Sequence, residues 1–221
     1  MERAAHNSLS LSRPYSKIVI ATHDAQVMRL CEDAVAPVCS AVMSLTEVGL
    51  PEPTAICRHT RDTAIARATL VAMLCNLPAI GFARGFQIDP LLAFGGGGPK
   101  WSWLLPVTHR RPQAFSELRK ANDRLTREGY LGPDDRGAYF ECCVCLALPD
   151  GETIFGSARM NGQLDDVGSH DKGRTANLFD SYFVPDGDER PLSARTPDRT
   201  DKYCDVTNAA KALLLELMSR H

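Results

Sequence analysis

Chemistry needs polar side chains held at the end of an element, and the stretch Leu77-Pro-Ala-Ile-Gly-Phe-Ala-Arg-Gly-Phe-Gln-Ile-Asp-Pro-Leu91 is where this chain should offer them. Ala79 to Phe82 reads as an apolar strand running into a turn at Arg84-Gly85. In α/β proteins the ends of central strands are where ligands bind. A site there would usually need an acid, and the turn supplies Ala83 and Arg84. Cys142 and Cys145 are spaced C-x-x-C, yet they lie inside an apolar run with no second pair beside them, so buried thiols are expected rather than zinc or redox chemistry. The glycines of Phe94-Gly-Gly-Gly-Gly-Pro99 lack the following Lys-Ser/Thr of a phosphate-binding loop and read as a connector. His23, His59, His109 and His170 show no ligand spacing, and Asp165-Asp166 reads as a solvated turn. Trp101 and Trp103 suit core packing, with a partner surface as the alternative.

These residues must be positioned by a chain of 221 residues, enough for one large domain or two small lobes. A formal net charge of −2 gives no bulk attraction to nucleic acid. No run approaches the roughly 18 apolar residues of a membrane helix. The eight cysteines are scattered through apolar segments, which suits a reducing compartment. Residues 1–16 read as a flexible tail, with Arg3 and Arg13 against Glu2. A cytoplasmic protein is expected; the acid-poor start leaves a mitochondrial presequence as the alternative.

In chain order, Lys17–Thr22 reads as a buried strand, and Asp24 is placed to cap a helix through Val27, Met28 and Leu30. A short strand over Ala41–Thr46 and a turn at Gly49–Pro53 follow. Thr60 opens a long helix ending at Asn76, then comes the strand from Ala79. Pro112–Glu128 is an amphipathic helix with Phe115, Leu118 and Leu125 on one side. Ala138–Leu148 and Thr153–Gly162, joined by Pro149-Asp-Gly-Glu152, read as a hairpin. A short apolar piece, Phe179–Val184, and a helix over Val206–Met218 close the chain. The expected fold is a mixed α/β domain over residues 17–221, an elongated central sheet with flanking helices forming two lobes around a cleft.

The order of these pieces resembles the inosine triphosphate pyrophosphatase family, from about Lys17 to His221. The family's Thr-Gly-Asn-x-x-Lys becomes Thr22-His23-Asp24-Ala25-Gln26-Val27, keeping the threonine and losing the phosphate-binding lysine. Its Leu-Pro-Glu stands as Leu50-Pro51-Glu52, and a phosphate-contacting helix lysine falls at Arg67. The acid that the family uses to bind metal and activate water aligns with Ala83. The base-binding Phe-Gly-Trp/Tyr-Asp-Pro becomes Asn177-Leu-Phe179-Asp180-Ser181, a late lysine stands as Lys202, and Ser-His-Arg becomes Val206-Thr207-Asn208.

The resemblance implies a nucleotide site drawn from Thr22, Asp24, Arg67, Arg84, Phe179, Asp180, Lys202, Thr207 and Asn208. Glu52 and Asp24 are the candidates for Mg2+, which such enzymes hold with one or two carboxylates and the substrate phosphates. Loss of a positioned general base removes about 10² to 10⁴ in rate, so the expectation is a catalytically degenerate protein, a structural or regulatory subunit retaining a nucleotide in the cleft. The alternative is an active magnesium-dependent pyrophosphatase with shifted ligands, converting a non-standard nucleoside triphosphate to its monophosphate and pyrophosphate. Arg84 is expected to pair with Glu52 or Asp24 in place of the metal ion. A homodimer is the expected assembly, with a place in a larger complex as the alternative.

Overall fold

Runs of β-branched and small apolar residues build the sheet of this protein. Its computed structural model describes residues 13–54, 57, 59–90, 111–132, 135–165, 179–194 and 204–220, with 111–117 as backbone. The strands are β1 (Tyr15–Ile20), β2 (Cys39–Ser44), β3 (Ala79–Ile88), β4 (Gly137–Ala147), β5 (Thr153–Leu164) and β6 (Phe183–Pro185). They lie in the order β2-β1-β3-β4-β5-β6. β1 is parallel to β2 and β3; from β3 onward the pairing is antiparallel. The helices among the described residues are α1 (Ala25–Val35), α2 (Thr60–Cys75), α3 (Arg111–Arg127) and α4 (Cys204–Ser219). The sheet is mixed and the class is α/β, as the alternating pattern implies.

Local signals account for most boundaries. The Asp24 carboxylate accepts the amides of Gln26 and Val27 at 3.0 Å each, which starts α1. α2 stops at Asn76, whose φ of 51° is left-handed. The β4–β5 turn closes through the Leu148 amide on the Glu152 carbonyl at 2.9 Å, with Gly151 at φ 94°. Tyr15, expected in the tail, already pairs with Cys39 and opens β1.

One expectation is corrected. The strand from Ala79 does not end at Phe82 in a turn at Arg84-Gly85. It continues to Ile88, paired with β4 from Ala79↔Ala147 to Ile88↔Ala138. Arg-Gly has turn composition, but the long partner strand satisfies the backbone groups that a turn would leave unpaired. Ala83 and Arg84 are therefore mid-strand residues opposite Cys143 and Cys142.

Strand alternation sends these neighbours to opposite faces. Ala79 and Ala83 pack with Ala64, Ala68, Cys143 and Cys145 under α2. Gly81 lets α2 lie directly on β3, since a Cβ there would meet the Ala64 carbonyl and the Ala68 backbone. On the other face Ile80 joins a cluster with α1 and α4, while Phe86 and Ile88 join a second cluster with α3 residues Leu118 and Leu125. Cys142 belongs to the α4 side and Cys145 to the α2 side, so the C-x-x-C pair is split across the sheet. Burial pushes the thiols of Cys31, Cys143 and Cys145 up to about 12 and that of Cys142 upward as well. No helix among the described residues is long and apolar enough to cross a membrane.

Candidate functional site

At the carboxyl end of β1 the chain leaves the sheet and ties itself to the loop ahead of α2. The Thr22 hydroxyl donates to Glu52 Oε1 at 3.2 Å, and the His23 amide donates to Glu52 Oε2 at 3.3 Å. The Asp24 amide donates to Thr22 Oγ1 at 3.1 Å. Thr22 is buried and Glu52 half-buried, so the carboxylate is fixed at the edge of solvent. Val27, in the lysine position of the resemblance, is a core residue of α1.

Arg67 approaches the same region from α2. It is 6% exposed and its Nη1 donates to the Phe82 carbonyl at 3.2 Å. Burial pulls its pKa down, while the negative fields of Glu52 and then Cys57 oppose that shift. A guanidinium remains charged in this setting. Ala83 follows Phe82, fully buried on the α2 face. Thr22, Glu52, Arg67 and Ala83 thus belong to one region, in which the cation and the carboxylate lie within electrostatic range.

Arg84 does not belong to that region. Its Nε donates to Asp205 Oδ2 at 2.7 Å and its Nη2 to Asp205 Oδ1 at 3.2 Å. The guanidinium carbon stands 3.9 Å over the Phe140 ring centroid. Burial alone would lower the pKa of Arg84; the charge and hydrogen bonds of Asp205, followed by the fields of Asp180 and Cys142, outweigh it and the net direction is up. The expected pairing with Glu52 or Asp24 is therefore corrected: the partner is Asp205. The reason is the strand's twofold alternation, which turns Arg84 toward α4 while Ala83 faces α2.

Asp24, a candidate metal ligand, also caps α1, its Oδ1 accepting two amides of that helix. Among the described residues no group of three or more His, Cys, Asp or Glu side chains could hold a metal ion.

The base-side candidates separate in the same way. Phe179 is 1% exposed and its ring centroid lies 4.9 Å from that of Phe86, inside an aromatic cluster with Phe140 and Phe183. Phe179, a candidate nucleotide contact, is thus a core ring. Asp180 is fully buried in the adjoining 3-10 turn Phe179–Ser181. Val206 is core, Asn208 is exposed, and the Thr207 hydroxyl is buried with no hydrogen-bond partner among the described residues. Lys202, Trp101, Trp103, His109, His170, Asp166 and the 94–98 glycine run lie outside the described residues. His23 and His59 are exposed.

Sequence reasoning missed Asp205. An acid in the first turn of a helix reads as an ordinary partner of the helix dipole. Nothing local marks it as the fully buried counter-ion of a residue 121 positions away.

A mixed-sheet α/β protein with a hydroxyl–carboxylate–guanidinium region beside its parallel strands is the class defined so far. The chain belongs to the Ham1 family, whose family model matches residues 18–215. Among its relatives, a protein of Gluconobacter oxydans named dITP/XTP pyrophosphatase is 31% identical over 190 residues, covering 81% of this chain and 80% of that protein. One of the same name from Brucella melitensis is 28% identical over 171 residues, covering 77% and 76%. In fold, the Staphylococcus aureus Ham1 protein superimposes with a TM-score of 0.70 at 17% identity, over 93% of this chain and 100% of that one.

Proposed function

We propose that this chain is a nucleoside triphosphate pyrophosphatase acting on non-standard purine triphosphates of the deaminated type. Water would attack the α–β phosphoanhydride, releasing a nucleoside monophosphate and pyrophosphate. The expectation of a degenerate, non-enzymatic subunit becomes the second reading, because relatives sharing about four-fifths of this chain bear pyrophosphatase names. The observation that carries the proposal is the fixed Glu52 carboxylate, held by Thr22 and the His23 amide with the Arg67 cation in its field.

In this reading Arg67 holds phosphate oxygens, while Thr22, whose hydroxyl donates to Glu52, keeps that carboxylate in place. Glu52 would share Mg2+ with those oxygens; when bound, the ion neutralises phosphate charge. Ala83 cannot accept a proton, so Glu52 is also the carboxylate nearest at hand for orienting the attacking water. Arg67 neutralises charge that builds on the departing pyrophosphate. On the base side this reading assigns the contacts to Thr207 and Asn208 rather than to Phe179 and Asp180, which are buried.

Purified protein should release pyrophosphate from dITP, ITP or XTP with magnesium or manganese, and Glu52→Gln should lower the rate. Ala83 favours the second reading, a nucleotide-binding regulatory subunit. Binding without turnover across standard and deaminated triphosphates would establish it and overturn the first. A homodimer is the proposed assembly, to be read by sedimentation.

A further inference from the structure

The two apolar clusters on the α4 side of the sheet meet at Arg84. Along β3, Phe82 packs on the first cluster and Phe86 belongs to the second. Along β4, Cys142 belongs to the first and Phe140 to the second. The first turn of α4 straddles the same seam, with Cys204 against the second cluster and Val206 in the first. Asp205 stands between them, fully buried, with both carboxylate oxygens on Arg84.

The rest of α4 is anchored by apolar packing of Ala209, Ala210, Leu213 and Leu217. Gly156 lets it lie directly on β5 beside Ala209 and Leu213. Such packing tolerates small sliding at a helix end, whereas a bidentate guanidinium–carboxylate pair fixes both distance and orientation. A buried ion pair is often matched or bettered in stability by apolar side chains of similar volume, so what distinguishes this one is its fixed geometry. Two residues beyond Asp205, the Thr207 hydroxyl is buried without a partner among the described residues, and exposed Asn208 follows it.

We infer that Arg84 and Asp205 are a positioning pair that fixes the first turn of α4 across the seam and thereby sets which nucleobase the Thr207–Asn208 edge accepts. This rests on the nucleotide-binding reading above. Neither residue need touch substrate; both act through the placement of Thr207.

The test compares the full chain with the Arg84→Met/Asp205→Leu and Arg84→Lys variants. Equilibrium dialysis gives Kd for ITP, XTP, GTP, ATP, CTP and UTP. Hydrogen exchange reads the amides of residues 204–209 against those of 213–217. The double variant should keep its denaturation midpoint and exchange faster in the first turn alone. Its preference for the best triphosphate over the next should shrink about tenfold, as misplacing one hydrogen bond allows. Arg84→Lys, which keeps the charge, should fall between. A folded double variant with wild-type exchange, or with selectivity within about twofold of wild type, would overturn the inference. If the double variant does not fold, Arg84→Lys decides by the same two readings. If the wild-type chain binds none of these nucleotides, the functional reading fails, and hydrogen exchange still decides whether the pair positions the turn.

Discussion

Replacing Gly81 by alanine would put a methyl group where α2 rests on β3. The added Cβ would stand 2.5 Å from the Ala68 amide nitrogen and 2.9 Å from the Ala68 Cβ, and would also meet the Ala64 carbonyl oxygen. Carbon contacts are comfortable at about 3.5–4.0 Å. The obstacle is helix backbone, so α2 must retreat by about 1 Å at its middle. Overpacking of this kind destabilises by about 1–3 kcal/mol. For a chain of this size each kcal/mol lowers Tm by about 2–4 °C, giving a drop of roughly 2–12 °C. The retreat would carry Arg67 with it, and the 3.2 Å bond from its Nη1 to the Phe82 carbonyl would pass beyond hydrogen-bond reach. At 6% exposure Arg67 has little room to extend again. Triphosphate affinity should weaken about tenfold or more, the value of one charge-assisted contact.

Calorimetry and equilibrium dialysis on the same preparation test both links. Gly132→Ala is the control, since a Cβ there would find the Asp135 Oδ2 at an ordinary 3.4 Å. It should change stability by no more than about 0.5 kcal/mol. A Gly81→Ala protein melting within about 1 °C of wild type, well under the expected range, would refute the packing argument. A fall in Tm with unchanged affinity would refute the coupling of Arg67 to the seat of α2.

Ala83→Asp should raise pyrophosphate release by about 10² or more, at some loss of stability from burying a carboxylate; an unchanged rate in a folded variant would show that the missing acid is not what limits turnover. Asp24→Ala should cost about 1 kcal/mol through the lost cap of α1 while Asp24→Ser keeps most of it, and loss of magnesium dependence in the serine variant would reveal Asp24 as a ligand. The thiols of Cys31, Cys143 and Cys145 are raised by burial from 9.0 to about 12. Between those values the unfolded chain gives up protons that the folded chain keeps, so their contribution is complete below pH 9 and is lost as pH rises, by about 1.4 kcal/mol per unit for each thiol. Urea midpoints measured from pH 8 to 11 should show a shallower fall in Cys143→Ala/Cys145→Ala than in wild type.

What the sequence made legible is what local rules govern. The order of strands and helices, the Asp24 cap, the stop at Asn76 and the β4–β5 hairpin all follow from propensity, capping and turn chemistry. The length of β3 did not, because its second half is held by pairing with β4, where Ala83 meets Cys143 and Ile88 meets Ala138. The partner of Arg84 did not, since Asp205 becomes a counter-ion only when α4 folds back over the sheet. Phe179 likewise joins the core through long-range packing with Phe86. The pairing of Thr22 with Glu52 joins two segments whose resemblance to family motifs could be read, though their contact could not.

The two departures at Ala83 and Arg84 adjoin in sequence but act on opposite faces of the sheet. Ala83 faces α2 and the Glu52–Arg67 region; Arg84 faces α4 and Asp205. The Arg84 cation therefore does not stand beside Glu52, where the resemblance would put an acid and its metal at Ala83. If catalysis belongs to one face and base selection to the other, the two can be altered separately. Ala83→Asp should then raise turnover by the same factor in the wild-type background and in Arg84→Met/Asp205→Leu, and the selectivity ratio should follow the ion pair alone. Additivity within about 0.3–0.5 kcal/mol, a factor of roughly two, holds for sites more than about 7–10 Å apart; Ala83 and Arg84 are adjacent on β3, so here it would come only from their facing opposite sides of the sheet. A coupling well beyond that in a folded triple variant would mean that the sheet transmits strain between its faces, and the separation argued from strand alternation would fail.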